Sequence, residues 1–316
     1  MISIEAELSG VKTVGITGHI RPDGDCTGST LGLYNYIKDN MPEIDVDIYL
    51  EPVEDCYKFL RYSDCIKSYS AKNREYDVFV VLDCGDIERT AGFVRDLIRN
   101  AKKTICIDHH ETVKNFATIN HVIPKTGSAS EVLYELLDEN KVSKAVAECL
   151  YVGIINDTGV FKYQSTTSRT MEIAGKFMNL GIDFTKIIDD TFYRRTYMQT
   201  MLVGHALSSS VLTMEGKLIY SFATKALLDS LGLVGRDAGV VIDQLRFVKN
   251  VEVALFMYEL PDGQIKGSLR SVDRIDVNCI ANQLGGGGHM RAAGFTSTLS
   301  AEEIVAKVEE LMGEQL

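Results

Sequence analysis

Two short stretches constrain this chain most: Val80-Val81-Leu82-Asp83 and Ile105-Cys106-Ile107-Asp108-His109-His110. Each is an apolar run that stops abruptly in acid or imidazole. A strand interior has no use for ionisable groups, so both runs read as buried strands whose chemistry begins where they end. Four such strands are expected, at Val11–Thr17, Val46–Leu50, Asp77–Leu82 and Thr104–Ile107. Helical patterns are interspersed at Ser29–Lys38, Ala129–Asn140 and Lys144–Ile155. Strands alternating with helices imply βαβ units and an α/β fold with a largely parallel sheet. The loops after the carboxyl ends of parallel strands gather in one crevice, so the two ionisable ends should meet there.

The pattern changes at Asp183–Ser210, which reads as helical throughout and serves as a connector. A smaller α/β unit should follow. It has a hairpin at Val211–Ala223, a helix near Arg236–Phe247, and strands at Val251–Tyr258 and Gln264–Ser271. The glycine run Gly285–Gly288, a last strand and a closing helix at Ala301–Met312 complete it. The expected domains are 1–185, a connector at 186–210, and 211–316; 316 residues suffice for two cores.

A net charge of −11 argues against general affinity for long duplex nucleic acid, which needs basic surface, while leaving room for a small anion in a local pocket. The opening MISIEAELSG lacks the features of a signal peptide, and no apolar run reaches membrane-spanning length. Seven cysteines, an odd number with no CxxC pair and among them Cys106, Cys149 and Cys279 in apolar stretches, read as reduced, buried thiols and a cytoplasmic location.

Four clusters fall where the first half's elements end. GHIRPDGDCTGS supplies His19, Asp23 and Asp25, with Gly28 and Ser29 expected to open a helix. Asp83 and Asp86 follow the third strand, Asp108-His109-His110 the fourth, and Asp157 sits in GIINDTGVF. Singly, each has a plain reading: a solvated turn, a helix cap for Asp86, a packed histidine pair. Together they offer nitrogen and oxygen donors that suit six-coordinate Mn²⁺ or Mg²⁺ and fit a closed tetrahedral zinc site poorly.

HIRPDGDCTGS, LDCGD, IDHHET and NDTGVF, followed by GSLRS and GGGGHMRAAGF, resemble the DHH phosphoesterases. The second half is similar to the DHH-associated C-terminal domain of the subgroup that hydrolyses very short oligonucleotides and 3′-phosphoadenosine 5′-phosphate. The resemblance implies two Mn²⁺ ions, with Mg²⁺ or Co²⁺ as alternatives. His19, Asp23 and Asp83 would hold one, Asp25, Asp83, His109 and Asp157 the other, and Asp83 would bridge them. It further implies catalytic roles for Asp83, for Asp108 as the orienter of an imidazole, and for His110 as a phosphate contact and general acid. Lys162 departs from the arginine such sequences often carry after Asp-Thr-Gly-x-Phe. Four carboxylates neutralise two divalent cations, so substrate phosphate needs further donors: His110, the N–H groups at Gly28-Ser29, and the second domain.

In that domain Ser268, Arg270, Gly286, Gly287, Gly288 and His289 are the expected substrate-binding residues. Guanidinium pairs bidentately with phosphate, and a glycine run can present bare N–H groups to an anion. The implied activity is release of nucleoside monophosphates from dinucleotides and other short oligonucleotides, with dephosphorylation of 3′-phosphoadenosine 5′-phosphate, by a chain expected to form a homodimer. A phosphodiesterase for linear or cyclic signalling dinucleotides is the alternative within the class. A pyrophosphatase reading fits the C-terminal half less well, and a processive exonuclease would be expected to carry extra nucleic-acid-binding domains, for which this chain has no room. A non-catalytic nucleotide sensor is the reading from another class.

Overall fold

The computed structural model describes residues 3–69, 74–110 and 112–316, which form two compact units, 1–194 and 195–316. The first contains α1 (Ile4–Glu7), β1 (Thr13–Thr17), α2 (Gly24–Asn40), β2 (Asp45–Tyr49), β3 (Val78–Leu82), α3 (Arg95–Asn100) and β4 (Lys103–Asp108). It continues with β5 (Ile119–Val122), α4 (Ala129–Tyr134), α5 (Lys144–Asp157), α6 (Ser168–Asn179) and α7 (Phe184–Ile188). Its sheet has the order β2-β1-β3-β4-β5 and is parallel throughout.

Both faces of this sheet are covered, so its central strand is apolar on both sides, as buried parallel strands are. Along β3, Val78, Val80 and Leu82 join the core under α2, α4 and α5, while Phe79 and Val81 pack with Tyr49, Tyr76, Val94 and Leu97 on the other side. Phe79 lies flat over Gly15 of β1, where a Cβ would stand 2.4 Å from its ring. Emptying that site by Phe79→Ala would cost about 3–5 kcal/mol.

Two buried helices position the chemistry. The chain between Gly24 and Ile37 of α2 is buried throughout, which removes the amphipathic signal and explains why the sequence pattern places its start five residues late. Asp23 caps α2, accepting from the N–H groups of Asp25 and Cys26, each at 3.1 Å. Gly28 therefore sits inside the helix. Its missing side chain lets α2 press against α5, where a Cβ would be 2.4 Å from Cys149 O. The expected anion-binding donors at Gly28-Ser29 are corrected accordingly: those residues serve helix contact, and the end of the helix is occupied by Asp23.

The second unit holds α8 (Tyr197–Ser208), β6 (Val211–Thr213), β7 (Leu218–Ala223), α9 (Lys225–Ser230), α10 (Ile242–Arg246), β8 (Val253–Glu259) and β9 (Ile265–Ser271). It ends with α11 (Val277–Gln283), β10 (Gly287–His289), β11 (Ala292–Ser297) and α12 (Ala301–Gly313). Its sheet, β10-β11-β9-β8-β7-β6, is mixed, with β7 and β8 parallel. The segment expected to be one continuous helical connector is broken after a wide turn at Asp189–Tyr193. Thr196 starts a new helix with Gln199 in a reciprocal cap, and α8 then buries Leu202, Val203 and Ala206 against Ile219 and Phe256. No helix among the described residues is long and apolar enough to cross a membrane.

Candidate functional site

Parallel pairing puts the ends of β1, β3 and β4 side by side, and the expected clusters meet there. Asp83 is at the centre. It is buried, and its backbone is left-handed at φ 51°, a conformation that aspartate tolerates better than most residues and that clusters at functional sites. Its Oδ2 lies 3.3 Å from His19 Nε2 and its Oδ1 3.6 Å from His109 Nε2. Oδ2 thus faces His19, while Oδ1 faces His109 and also His110, whose Nδ1 is 3.6 Å away.

Both rings are aimed from behind. His19 Nδ1 donates to Ile20 O at 2.8 Å, and His109 Nδ1 donates to Thr126 O at 3.1 Å. A carbonyl only accepts, so each Nδ1 carries the hydrogen and each Nε2 is left toward the acids. Around His19 Nε2 stands Asp23 at 3.6 Å. Around His109 Nε2 stand Asp157 at 3.2 Å and Asp25 at 3.9 Å.

Asp25 is wholly buried at the start of α4, where Ala129 N–H and Ser130 N–H donate to its two oxygens at 2.6 and 3.0 Å. Gly153 leaves room for it: a Cβ there would come within 2.4 Å of Asp25 Oδ1. Asp108 Oδ1 accepts from His110 Nδ1 at 2.7 Å and from the N–H groups of His109 and His110. The imidazole that Asp108 orients is therefore His110. Its neighbour in the motif, Glu111, lies outside the described residues.

The crowded acids and rings perturb one another. Burial works against charging the two rings, yet neighbouring carboxylates outweigh it, pushing His19 up to about 11 and His109 up to about 12. Burial, and after it repulsion from Asp83 and Asp23, raise Asp157 to about 6 against the attraction of the nearby His109 ring. Burial first, then repulsion from Asp83 and Asp157, raises Asp25. His110 is raised chiefly by its bond to Asp108. A site that concentrates acids until they resist ionising is one that a multivalent cation relieves.

The donor set fits such a cation. His109 Nε2 and Asp83 Oδ1 are buried without a hydrogen-bond partner, which is costly unless something else engages them. Asp83, Asp108, His109 and His110 bring ligand atoms within 4.8 Å of one another, as do Asp25, His109 and Asp157, and likewise His19, Cys26 and Asp83. In the last group burial, followed by repulsion from Asp83 and Asp23, holds the Cys26 thiol well above its ordinary value, so it stays a neutral neighbour. Asp86 stands apart as the cap of a short turn, accepting from Glu88 N–H and Lys114.

The second unit sorts its expected residues by strand register. His289, Ala292, Arg270 and Ala254 oppose one another across β10, β11, β9 and β8, and Gly287, Gly294, Ser268 and Phe256 form the next row. Opposed residues share a face, so His289, Arg270, Gly287 and Ser268 lie on one side around two small residues. Gly286 and Gly288 do not join them. A Cβ at Gly286 would meet Gly294 O at 2.1 Å, and one at Gly288 would meet Ala292 O at 2.5 Å. The N–H groups of Gly285, Gly286 and Gly288 are donated to Asn282 O, Ala281 O and Asn278 Oδ1. The run is therefore a closely packed strand edge, and the expectation of an open nest of donors is corrected.

Several anchoring groups went unread in the sequence: the carbonyls of Ile20 and Thr126, and the N–H groups opening α4. The signal for the last was present in Ser128-Ala129-Ser130-Glu131, a helix-capping pattern ahead of an apolar run.

Residues 13–154 match the N-terminal domain of the DHH family and residues 215–314 match the DHHA1 domain. The chain thus carries a DHH-family N-terminal domain followed by a DHHA1 domain. It is 29% identical over 309 residues to the bifunctional oligoribonuclease and PAP phosphatase NrnA of Thermus thermophilus, covering 95% of this chain and 89% of that one. It is 26% identical over 314 residues to the protein of the same name from Bacillus subtilis, covering 97% of each. A crystal structure of an exopolyphosphatase-related protein from Bacteroides fragilis superposes with a TM-score of 0.89 at 26% identity, covering 97% of this chain and 93% of that one.

Proposed function

We propose that this protein is a Mn²⁺-dependent phosphoesterase that hydrolyses short oligonucleotides to nucleoside monophosphates and removes the 3′-phosphate from 3′-phosphoadenosine 5′-phosphate. The observation that carries the reading is Asp83, whose two oxygens face imidazoles from separate loops, each ringed by further acids. We assign His19, Asp23 and Asp83 to one cation, and Asp83, Asp25, His109 and Asp157 to the other. Such a pair, when bound, activates water for attack on phosphorus and offsets the charge that builds on the phosphate.

The remaining work falls to the chain's own groups. Asp108 accepts from His110 Nδ1, which fixes the direction of the ring and raises its affinity for a proton, so we assign His110 as the proton donor at the cluster. Asp25 and His109 are held by main chain, which fixes the distance between acid and imidazole before substrate arrives. In the second unit, Arg270 and Ser268 would bind a phosphate, with Gly287 and His289 beside them on the same sheet face. The names of the Thermus and Bacillus relatives support this substrate class. Seven free cysteines fit a reducing, cytoplasmic setting, although Cys279 is exposed and Cys56 and Cys65 are half-buried where burial was expected.

The test is a product assay with Mn²⁺ on a dinucleotide, a five-nucleotide RNA, 3′-phosphoadenosine 5′-phosphate, a cyclic dinucleotide, polyphosphate and pyrophosphate. Monophosphates from the first two and AMP from the third are expected. Turnover confined to pyrophosphate or polyphosphate would overturn the substrate assignment, and binding of nucleotides without turnover would favour a sensor.

A further inference from the structure

One stretch of main chain, residues 126–130, grips two of the proposed cation ligands at once. Thr126 O accepts from His109 Nδ1, and the N–H groups of Ala129 and Ser130 hold Asp25. The stretch lies between β5 and the second residue of α4, and regular structure fixes only its end. Glu131 fixes the rest. Its side chain is buried, at 3% exposure. Its Oε2 accepts from Thr170 Oγ1 of α6 at 2.8 Å, and the same carboxylate lies against Gly127 of the loop. Its own N–H donates to Ser128 Oγ at 3.1 Å.

Gly127 is pinched between three elements. A Cβ there would stand 2.9 Å from Glu131 Oε2, 3.1 Å from Thr158 Cγ2 and 3.4 Å from Thr170 Oγ1. Thr158 directly follows Asp157, so the loop at Gly127 also lies close to the chain that carries a third ligand. Capping α4 alone requires only the serine hydroxyl, whereas burying a carboxylate is costly unless its contacts repay it. Here its hydrogen bond runs to the helix behind the loop, and its oxygen lies against the loop itself.

We propose that Glu131 is a positioning residue for the Asp25, His109 and Asp157 half of the cluster: its carboxylate, bonded to Thr170 and packed against Gly127, holds the 126–130 loop at the spacing those ligands need. This rests on the reading of the cluster as a paired cation site. Groups that hold ligands from behind change metal affinity about 10–100-fold when removed.

The experiment titrates metal-stripped full-length protein with Mn²⁺ and follows free Mn²⁺ by electron paramagnetic resonance. The wild type should bind two ions. Glu131→Ala should weaken one of them about tenfold or more and leave the other unchanged. Glu131→Gln, which keeps the size of the side chain and an acceptor oxygen for Thr170, should recover most of the affinity. Thr170→Val removes only the hydroxyl and should weaken the same ion. Two ions bound by Glu131→Ala at wild-type affinity would overturn the assignment, even with a lowered melting temperature, because that pattern is purely structural. If Glu131→Ala does not fold, unchanged affinity in Thr170→Val overturns it instead. A wild type that binds one ion or none would remove the paired-cation reading itself, a result distinct from either.

Discussion

Asp83→Asn separates the role of charge from the role of shape. Asparagine is at home in the left-handed conformation that Asp83 adopts at φ 51°, so the backbone keeps its path, whereas alanine would add strain there. What changes is one negative charge facing three imidazoles, His19 at 3.3 Å through Oδ2 and His109 and His110 each at 3.6 Å through Oδ1. Because Asp83 is assigned to both cations, both should weaken, each by about 100-fold. At a Mn²⁺ concentration 100 times the wild-type dissociation constant, each bound ion stabilises the wild type by about 2.7 kcal/mol. Two ions give about 5.4 kcal/mol, a rise in melting temperature of about 10–20 °C for a domain of this size. The variant, with both constants raised to the metal concentration, should gain only about 0.8 kcal/mol and about 2–3 °C. Calorimetric melting of metal-stripped protein with and without Mn²⁺ measures the difference directly. A variant that keeps the full metal-induced rise, or one that loses half of it, would refute a carboxylate shared between two ions.

Other perturbations address single links in the chain of reasoning. Asp108→Asn keeps an acceptor for the N–H groups of His109 and His110 but removes the charge that raises His110, so the alkaline limb of the pH–rate profile should move to lower pH with metal content unchanged; a fixed limb would exclude His110 as proton donor. Gly28→Ala would place a methyl 2.4 Å from Cys149 O and should destabilise the first unit by about 1–3 kcal/mol, read by denaturant unfolding. A neutral result there would mean that α2 and α5 separate easily. Arg270→Ala should raise KM for dinucleotides about tenfold or more while Mn²⁺ binding is unchanged; an unaltered KM would remove its phosphate role.

The parallel sheet was legible because β1, β3 and β4 are apolar runs that end in ionisable residues, and the physical reason for that pattern is the same in sequence and structure. β5 was not legible: Ile119–Val122 is a half-buried edge strand with no alternation. The start of α2 was hidden by burial on every side, and by glycines that look like a loop until α5 is placed against them. Gly285–Gly288 misled for a related reason. A sequence shows that side chains are missing, but only the strand β11 shows what occupies the space. The ligand residues themselves were named from the sequence, and the structure brings His19, Asp23, Asp25, Asp83, His109 and Asp157 together. The groups that aim them were invisible because they are peptide carbonyls and amides, which every residue possesses.

That last feature has a practical side. The two rings flanking Asp83 are tethered through Ile20 O and Thr126 O, atoms that survive any side-chain replacement. A conventional alanine scan would therefore pass over both tethers and credit their effect to the imidazoles alone. Replacing the peptide link by an ester at either place, which weakens the carbonyl as an acceptor, is the change that would expose how much of the site's readiness resides in the main chain.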